Sequence, residues 1–524
     1  MHCTTHMKAR NSTTFFLALF IVPLLAQVPP DLGWQKCLGG TMDDKAFAIH
    51  ASADGGYVAA GNSLSYNGDV TGNHGGGDIW LVKVDDAGAL SWQRSLGGSG
   101  QEDGMDVMLN SDGDILVAGR TYSSNADVSD NNGLGDMWVV KLDPLGTIIW
   151  ENALGGPLHE GARSIQQTND GGYIVCGWSA STLGPGSDVT FNHGLNDVWV
   201  VKLDASGELE WQRSLGGSQY DDAFDVKQTA DGGYIVAGLT KSNDGDASGH
   251  HGDYDFWVVK LDATGTPVWQ NTLGGTGAEI AESIIQTSDG GYMVVGSTTS
   301  NDGDVSGNQG QEDYWVVQLD ALGELVWQKT LGGTGRELYC TTVQETSPGV
   351  FVVSGASNST DGDVSAGNGN YDVWLVQVTG SGSIVWETSF GGSSSEACND
   401  AQMTDDGGFI LAGQTYSNDG DVSGNHGAYD YWVLKLDGLS TDLPEDGRSS
   451  FSVWPNPTSG ELRLLIPSDL IGAQLVITDA LGREVLRDRT HSSTQELDLD
   501  QAQGKYWITL TNEGGTYSQR LIVR

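Results

Sequence analysis

The sequence predicts an all-β fold: a seven-bladed β-propeller of four-stranded blades closed by the N-terminal strand, followed by a small Ig-like β-sandwich. Three observations carry this reading. Leu-Gly-Gly, or Phe-Gly-Gly once, begins at Leu38, Leu96, Leu154, Leu215, Leu273, Leu331 and Phe390, with spacings of 58, 58, 61, 58, 58 and 59 residues. A fixed period of that length marks a propeller or solenoid. An Asp-x-Trp element recurs at Asp78, Asp136, Asp197, Asp255, Asp313, Asp372 and Asp430. A second Trp recurs at Trp34, Trp92, Trp150, Trp211, Trp269, Trp327 and Trp386, out of phase with the first series. The repeat region therefore starts with a fourth strand (33–38) and ends with a third strand (431–437). Pairing the two closes a ring and removes exposed sheet edges. An open solenoid, the rival architecture, has no need of that phase shift.

Within a repeat the elements follow from local chemistry. In the fourth copy, residues 223–228, 233–238, 256–261 and 267–271 are rich in β-branched and aromatic side chains and read as strands. Asp262-Ala-Thr-Gly265 joins the last two, because Asp and Gly accept hairpin-turn dihedrals. Trp257, Val259 and Leu261 alternate on one face, and the intervening Val258 suits a sheet covered on both sides.

Residues 1–26 read as a secretory signal, with Lys8 and Arg10 ahead of the apolar run 15–25. No later stretch is long and apolar enough to span a bilayer. Residues 31–437 form the repeat domain and 438–450 a linker. The repeat domain holds 57 Asp and Glu against 15 Lys and Arg. That balance argues against nucleic acid or an anionic membrane as partner, since phosphates demand basic side chains. It leaves cations, neutral or basic proteins and glycans open, beside simple solubility. Cys37, Cys176, Cys340 and Cys398 are scattered over different repeats. Their number allows two disulfides, but their spacing gives no framework. Cys176 stands where other copies have Ala, which reads as a buried free thiol.

The loop between second and third strands holds the candidate site residues. Counting Asp302 as position 1, oxygen side chains fall at Asp302, Asp304, Ser306 and Asn308, with a carboxylate at Asp313. That is the ligand spacing of an EF-hand-type calcium loop. Asp244, Asp246, Ser248 and Asp255 repeat it, as do Asp419, Asp421, Ser423, Asn425 and Asp430. Asp361, Asp363, Ser365 and Asp372 repeat it with Ala366 at the expected glycine. The third copy, with Gly186 at position 1, is the poorest. Position 12 is Asp rather than Glu, and the flanks are strands. The other reading is a set of polar turns whose Asp, Asn and Ser side chains satisfy their own backbone. Asn-His-Gly at His74, His193 and His426 lies in the same loop on separate repeats, so these rings serve turns rather than one shared metal. No nucleophile elbow, zinc spacing or phosphate loop is present.

From Phe451 the period stops and short apolar–polar alternation suggests a small sandwich. Trp454-Pro455-Asn456-Pro457 with Gly460, then Asp479-Ala480-Leu481-Gly482-Arg483 with Val485, then Gly504-Lys505-Tyr506 and the terminal Leu521–Arg524 follow in order. This tail, 451–524, resembles the type A C-terminal sorting domain of type IX secretion substrates. The resemblance implies export from a Gram-negative cell, contact with the type IX machinery, and release or attachment at the outer-membrane surface. The hairpin Leu261–Trp269 resembles the repeat of quinoprotein-type propellers. The expectation is a secreted or cell-surface, non-catalytic interaction or adhesion module, with an unnamed extracellular protein or glycan as partner and Ca2+ as the candidate ion. The alternative is an enzyme on the same scaffold, a quinoprotein-like oxidoreductase or a polysaccharide-active enzyme.

Overall fold

The computed structural model describes residues 29–184, 186–365, 367–438, 451–454, 461–467, 470–479, 483–499, 504–512 and 515–523. The signal segment, the linker from 439, Ala366 and all of Pro455–Gly460 and Ala480–Gly482 lie outside the described residues. Among the described residues there is no α-helix, and the chain divides into two compact units at Leu439/Ser440.

The first unit consists of seven four-stranded antiparallel sheets. Sheets 1 to 6 are contiguous, covering 44–96, 102–154, 160–215, 221–273, 279–331 and 337–390. Sheet 7 takes three strands from 396–436 and its fourth, Leu32–Leu38, from the N-terminus. The register of that closure pairs Gln35 with Leu434 and Leu38 with Tyr431. Strand ends extend one or two residues beyond the expected limits, as in Asp221–Gln228 and Asp255–Leu261.

The third strands are buried on both faces rather than alternating, as in Asp255–Leu261, where every residue is buried. The cause is the packing of sheet on sheet. Each apolar cluster draws side chains from two successive sheets, and one joins Ile410, Ala412, Tyr431 and Val433 of sheet 7 to Ala46, Ile49, Trp80 and Val82 of sheet 1. The circuit of cores is thus closed, and the sheets are propeller-like in their repetition. The third-strand tryptophans, Trp80 to Trp432, are among the largest fully buried side chains. The residue before each reaches forward onto the next one, with Tyr431 and Trp80 ring centroids 4.7 Å apart and Phe256 and Trp315 4.5 Å.

A buried indole needs an acceptor for its N–H. Trp315 Nε1 donates to Gln328 Oε1 at 2.8 Å, and Gln328 Nε2 donates to Ser306 Oγ at 2.6 Å. Trp257, Gln270 and Ser248 repeat the relay. In sheet 7 the Gln comes from the other end of the chain: Trp432 Nε1 donates to Gln35 Oε1 at 3.0 Å, and Gln35 Nε2 donates to Ser423 Oγ at 2.6 Å. The hairpin turn is as expected. Asp262 Oδ1 accepts from Thr264 N and Thr266 N at 2.8 and 2.9 Å, and Gly265 has φ +75°.

The second unit has a three-stranded and a four-stranded antiparallel sheet. Phe451, Leu462, Leu464, Ile466, Leu475, Ile477, Tyr506, Ile508 and Leu510 share its core. The four repeat-domain cysteines are all buried and free. Cys176 is fully buried, the environment its replacement of Ala suggested.

Gln35→Leu removes the acceptor of a buried indole N–H at the ring closure and should cost about 1–3 kcal/mol. Urea unfolding followed by Trp fluorescence measures it, and Gln328→Leu, inside a contiguous sheet, is the matched control.

Candidate functional site

The candidate calcium residues are spread over separate donors. In sheet 5, Asp302 Oδ1 accepts from Thr276 N at 2.8 Å and Asp304 Oδ2 from Gly274 N at 3.2 Å. Ser306 belongs to the indole relay. Asn308 Nδ2 donates to Thr298 O at 3.2 Å and its Oδ1 accepts from Gly310 N at 3.0 Å. Asp313 Oδ2 accepts from Gln309 N at 2.8 Å. The other copies agree. Asp244, Asp361 and Asp419 accept from Ser218 N, Thr334 N and Ser393 N. Asp246, Asp363 and Asp421 accept from Gly216 N, Gly332 N and Gly391 N. Asp255, Asp372 and Asp430 accept from His251 N, Asn368 N and His426 N. Asn425 Nδ2 donates to Thr415 O, and Ser365 is exposed.

The Asp-x-Asp spacing thus serves a turn. The first acid caps the residue after Leu-Gly-Gly, and the second caps the first Gly of that turn. Among the described residues no group of three or more His, Cys, Asp or Glu is arranged to hold a metal ion. The histidines stay local: Nδ1 of His74, His193, His251 and His426 lies 2.6–3.0 Å from Asp78, Asp197, Asp255 and Asp430, each on its own loop.

The second Gly of the turn is capped by an acid that sequence spacing did not single out. This acid opens the next first strand: Asp44, Glu102, Glu160, Asp221, Glu279, Glu337 or Glu396, all buried. Glu337 Oε2 accepts from Gly333 N at 3.0 Å and Oε1 from Ser357 Oγ at 2.7 Å. It faces Asp313 across Gly332, where a Cβ would lie 2.2 Å from Glu337 Oε2 and 2.8 Å from Asp313 Oδ1. Only glycine fits between them. In all seven copies the Oδ1 of the Asp-x-Trp aspartate is buried with no hydrogen-bond partner. Burial pushes Asp313 up to about 6 against its Gln309 hydrogen bond, and Glu337 and Asp363 add to the rise. Asp136 is likewise pushed up to about 6, by burial first and by Glu160 and Asp188 after it.

A second site lies where the seven first strands meet, around a cavity of about 500 Å³. Six first strands carry a single-residue bulge, and sheet 6 carries a longer one with Tyr339 at φ +55°. Bulges re-aim side chains. The equivalent bulge residues Phe47, Met105, Arg163, Phe224, Glu282, Thr341 and Asn399 all line the cavity. In kind they range over aromatic, apolar, basic, acidic and neutral polar side chains.

Below them lies a polar belt. Asp106, Asp225 and Asp400 each accept from a backbone N–H of the following sheet: Ile165 at 2.8 Å, Ile284 at 3.0 Å and Ile49 at 2.9 Å. Lys227 Nζ lies 2.7 Å from Asp225 Oδ1. Burial alone would lower Lys227, but Asp225 and Asp106 hold it above the usual lysine value. Burial pushes Asp106 up to about 7, Asp400 to about 6 and Glu282 to about 8. Arg163 stacks 4.9 Å from the Phe224 ring centroid, and its Nη2 lies 3.5 Å from Asp222 Oδ2. This ring was missed because a search for period registers what repeats. The available signal was the residue two before the recurrent first-strand Ile or Val, Ala401 in the last copy, which changes in kind from copy to copy.

Comparison with known proteins bears on the tail most directly. Residues 452–524 match the family model described as secretion system C-terminal sorting domain. The chain therefore ends in a type IX secretion sorting domain and is an exported, secreted or cell-surface protein. The regulatory protein FlaEY of Caulobacter vibrioides is 26% identical over 412 residues, covering 69% of this chain. The chain spans 41% of that relative's length. Among solved structures, PorZ, a surface component of the type IX secretion system of Porphyromonas gingivalis, aligns over 93% of this chain and 60% of its own. Its identity is 14% and its TM-score 0.42. The Synechocystis apocarotenoid oxygenase aligns over 76% of this chain and 95% of its own, at 12% identity and TM-score 0.39. At these TM-scores neither carries a residue role across to this chain.

Asp313→Asn puts an amide where an unpartnered oxygen meets Glu337. The folded-state value of Asp313 lies above its unfolded value, so its contribution is full below about pH 4 and is lost as pH rises through about 6. The variant should be up to about 2 kcal/mol more stable than the parent at pH 8 and no more stable at pH 4. Urea unfolding at the two pH values measures it.

Proposed function

We propose that this chain is a surface-displayed, non-catalytic binding module. Its seven sheets form a seven-bladed propeller, and its tail is an Ig-like sandwich handed to the type IX machinery. One observation carries the binding reading: the turn-capping acids recur from sheet to sheet, while the bulge residues that converge on the central cavity range over aromatic, apolar, basic, acidic and neutral polar side chains. A frame that spends its acids on turn N–H groups leaves specificity to the few positions that vary, and concave sites with a few placed polar groups are where small ligands bind. On this reading the loop acids staple sheet to sheet. Calcium at those loops remains a separate proposal, and it is decided by melting with calcium or with a chelator. A cation bound only by the folded state raises stability by about 2.7 kcal/mol at one hundred times its Kd.

A second reading has its own support. Two acids pushed up to about 7 and 8 in one cavity suit proton transfer near neutral pH. A polysaccharide-active enzyme would turn over a member of a glycan panel, and a binder would retain one unchanged.

Two outcomes are expected. Deleting 452–524 leaves the protein inside the outer membrane, which surface proteolysis of intact cells detects. On glycan and peptide arrays the full mature chain retains a ligand, and Phe47→Ala weakens retention at least ~10-fold, the effect of losing about 1.4 kcal/mol. Cleavage of an array member would favour the enzyme.

A further inference from the structure

We infer that the central cavity takes a small organic cation, a ligand that presents a primary ammonium group to Asp106, Asp400 and Glu282. This rests on the reading of the cavity as a binding site and adds the chemistry of its ligand. The cavity, about 500 Å³, lies within the range of small-molecule sites, roughly 300–1,000 Å³.

Its charges do not balance. Asp106, Asp225, Asp400 and Glu282 line it against Lys227 and Arg163. Lys227 is engaged by Asp225, while Arg163 lies over the Phe224 face and 3.5 Å from Asp222 with its Nε buried and unpartnered, so two cations face four acids. Asp106 spends Oδ2 on Ile165 N. Asp400 spends Oδ2 on Ile49 N and has only a 3.4 Å contact from Thr342 Oγ1 at Oδ1. Glu282 Oε2 has no partner at all. A carboxylate in such surroundings is costly unless a cation or a proton answers it. Phe47 adds an aromatic wall to the same ring, and such walls attract cations. Tyr339, at φ +55° on the one lengthened bulge, is a strained residue at the rim of the kind that gathers at ligand sites.

Burial pushes Asp106, Asp400 and Glu282 toward their neutral forms, so protons answer part of this charge. The charged groups facing them are Lys227 and Asp225 on sheet 4, Arg163 on sheet 3, Asp222 on sheet 4 and Glu312 on sheet 5. An incoming ammonium favours the ionised acids and displaces those protons into solvent. Binding therefore tightens as pH rises from 6 to 8, while the ammonium itself stays charged.

The test is calorimetric titration of the full mature chain with n-pentylamine, beside its uncharged twin pentan-1-ol. One pentylamine should bind per chain, with proton release read from the dependence of the enthalpy on buffer, and with affinity rising between pH 6 and pH 8. Pentan-1-ol should bind at least ~10-fold more weakly, the equivalent of about 1.4 kcal/mol. Asp106→Asn with Asp400→Asn should abolish the site while keeping both backbone acceptors. Glu282→Gln, which gives up no hydrogen bond, should weaken it and remove one released proton. Equal binding of the alcohol, or undiminished pentylamine binding in both variants, overturns the proposal. Retention of a neutral saccharide that depends on Phe47 and excludes pentylamine overturns the cation and leaves the binding reading standing. Absence of any Phe47-dependent retention removes both.

Discussion

A four-stranded sheet with apolar residues on both faces cannot exist alone in water. Every sheet of the repeat unit has this character, with third strands such as Asp255–Leu261 buried from end to end. Each must be covered twice, and a linear stack would always leave two faces bare. Closure of the circuit, sheet 7 onto sheet 1 through Tyr431 and Trp80, is the constraint from which the rest follows. It fixes the phase shift of the two Trp series, the place of the N-terminal strand and the convergence of seven first strands on one cavity.

The seams between sheets are where this chain spends its charge. A Leu-Gly-Gly turn crossing from one sheet to the next exposes three successive N–H groups. In four of the seven copies two acids from one loop and one from a strand start take one each, as Asp304, Asp302 and Glu279 do at Gly274, Thr276 and Gly275. Charge-assisted bonds of this kind are stronger than neutral ones. The arrangement also crowds carboxylates, leaving a buried, unpartnered oxygen beside each turn. Much of the acidity that reads from composition as a solubilising surface is in fact structural cement with an electrostatic cost.

The fold was legible because its determinants repeat. Strand limits, the Asp262–Gly265 hairpin and the N-terminal closure all follow from pattern and turn chemistry. The acids were legible as a motif but ambiguous in purpose. Asp302, Asp304 and Asp313 have the spacing of a calcium loop, yet the first two cap N–H groups of a turn some 26 residues or more earlier in the chain and the third caps Gln309 N of its own loop. A spacing rule cannot see that turn. The like charges that crowd Asp313, Glu337 and Asp363, sit across a seam, so their proximity belongs to packing of sheets rather than to local sequence. The cavity ring was least legible. Phe47, Arg163 and Glu282 are equivalent in space but share no residue type, so regularity hides them. The cavity-lining position is among those that vary from copy to copy, so it falls outside the pattern.

The closure has a temporal side. Gln35 meets Trp432 across 397 residues of sequence. The strand that leaves the ribosome first is the last to find its place, and until residue 436 has emerged sheet 7 is short of a strand. Contacts of such range are slow to form. The same delay presents six near-copies of the proper partner to one waiting strand, and the Gln35–Trp432 bond alone does not tell them apart.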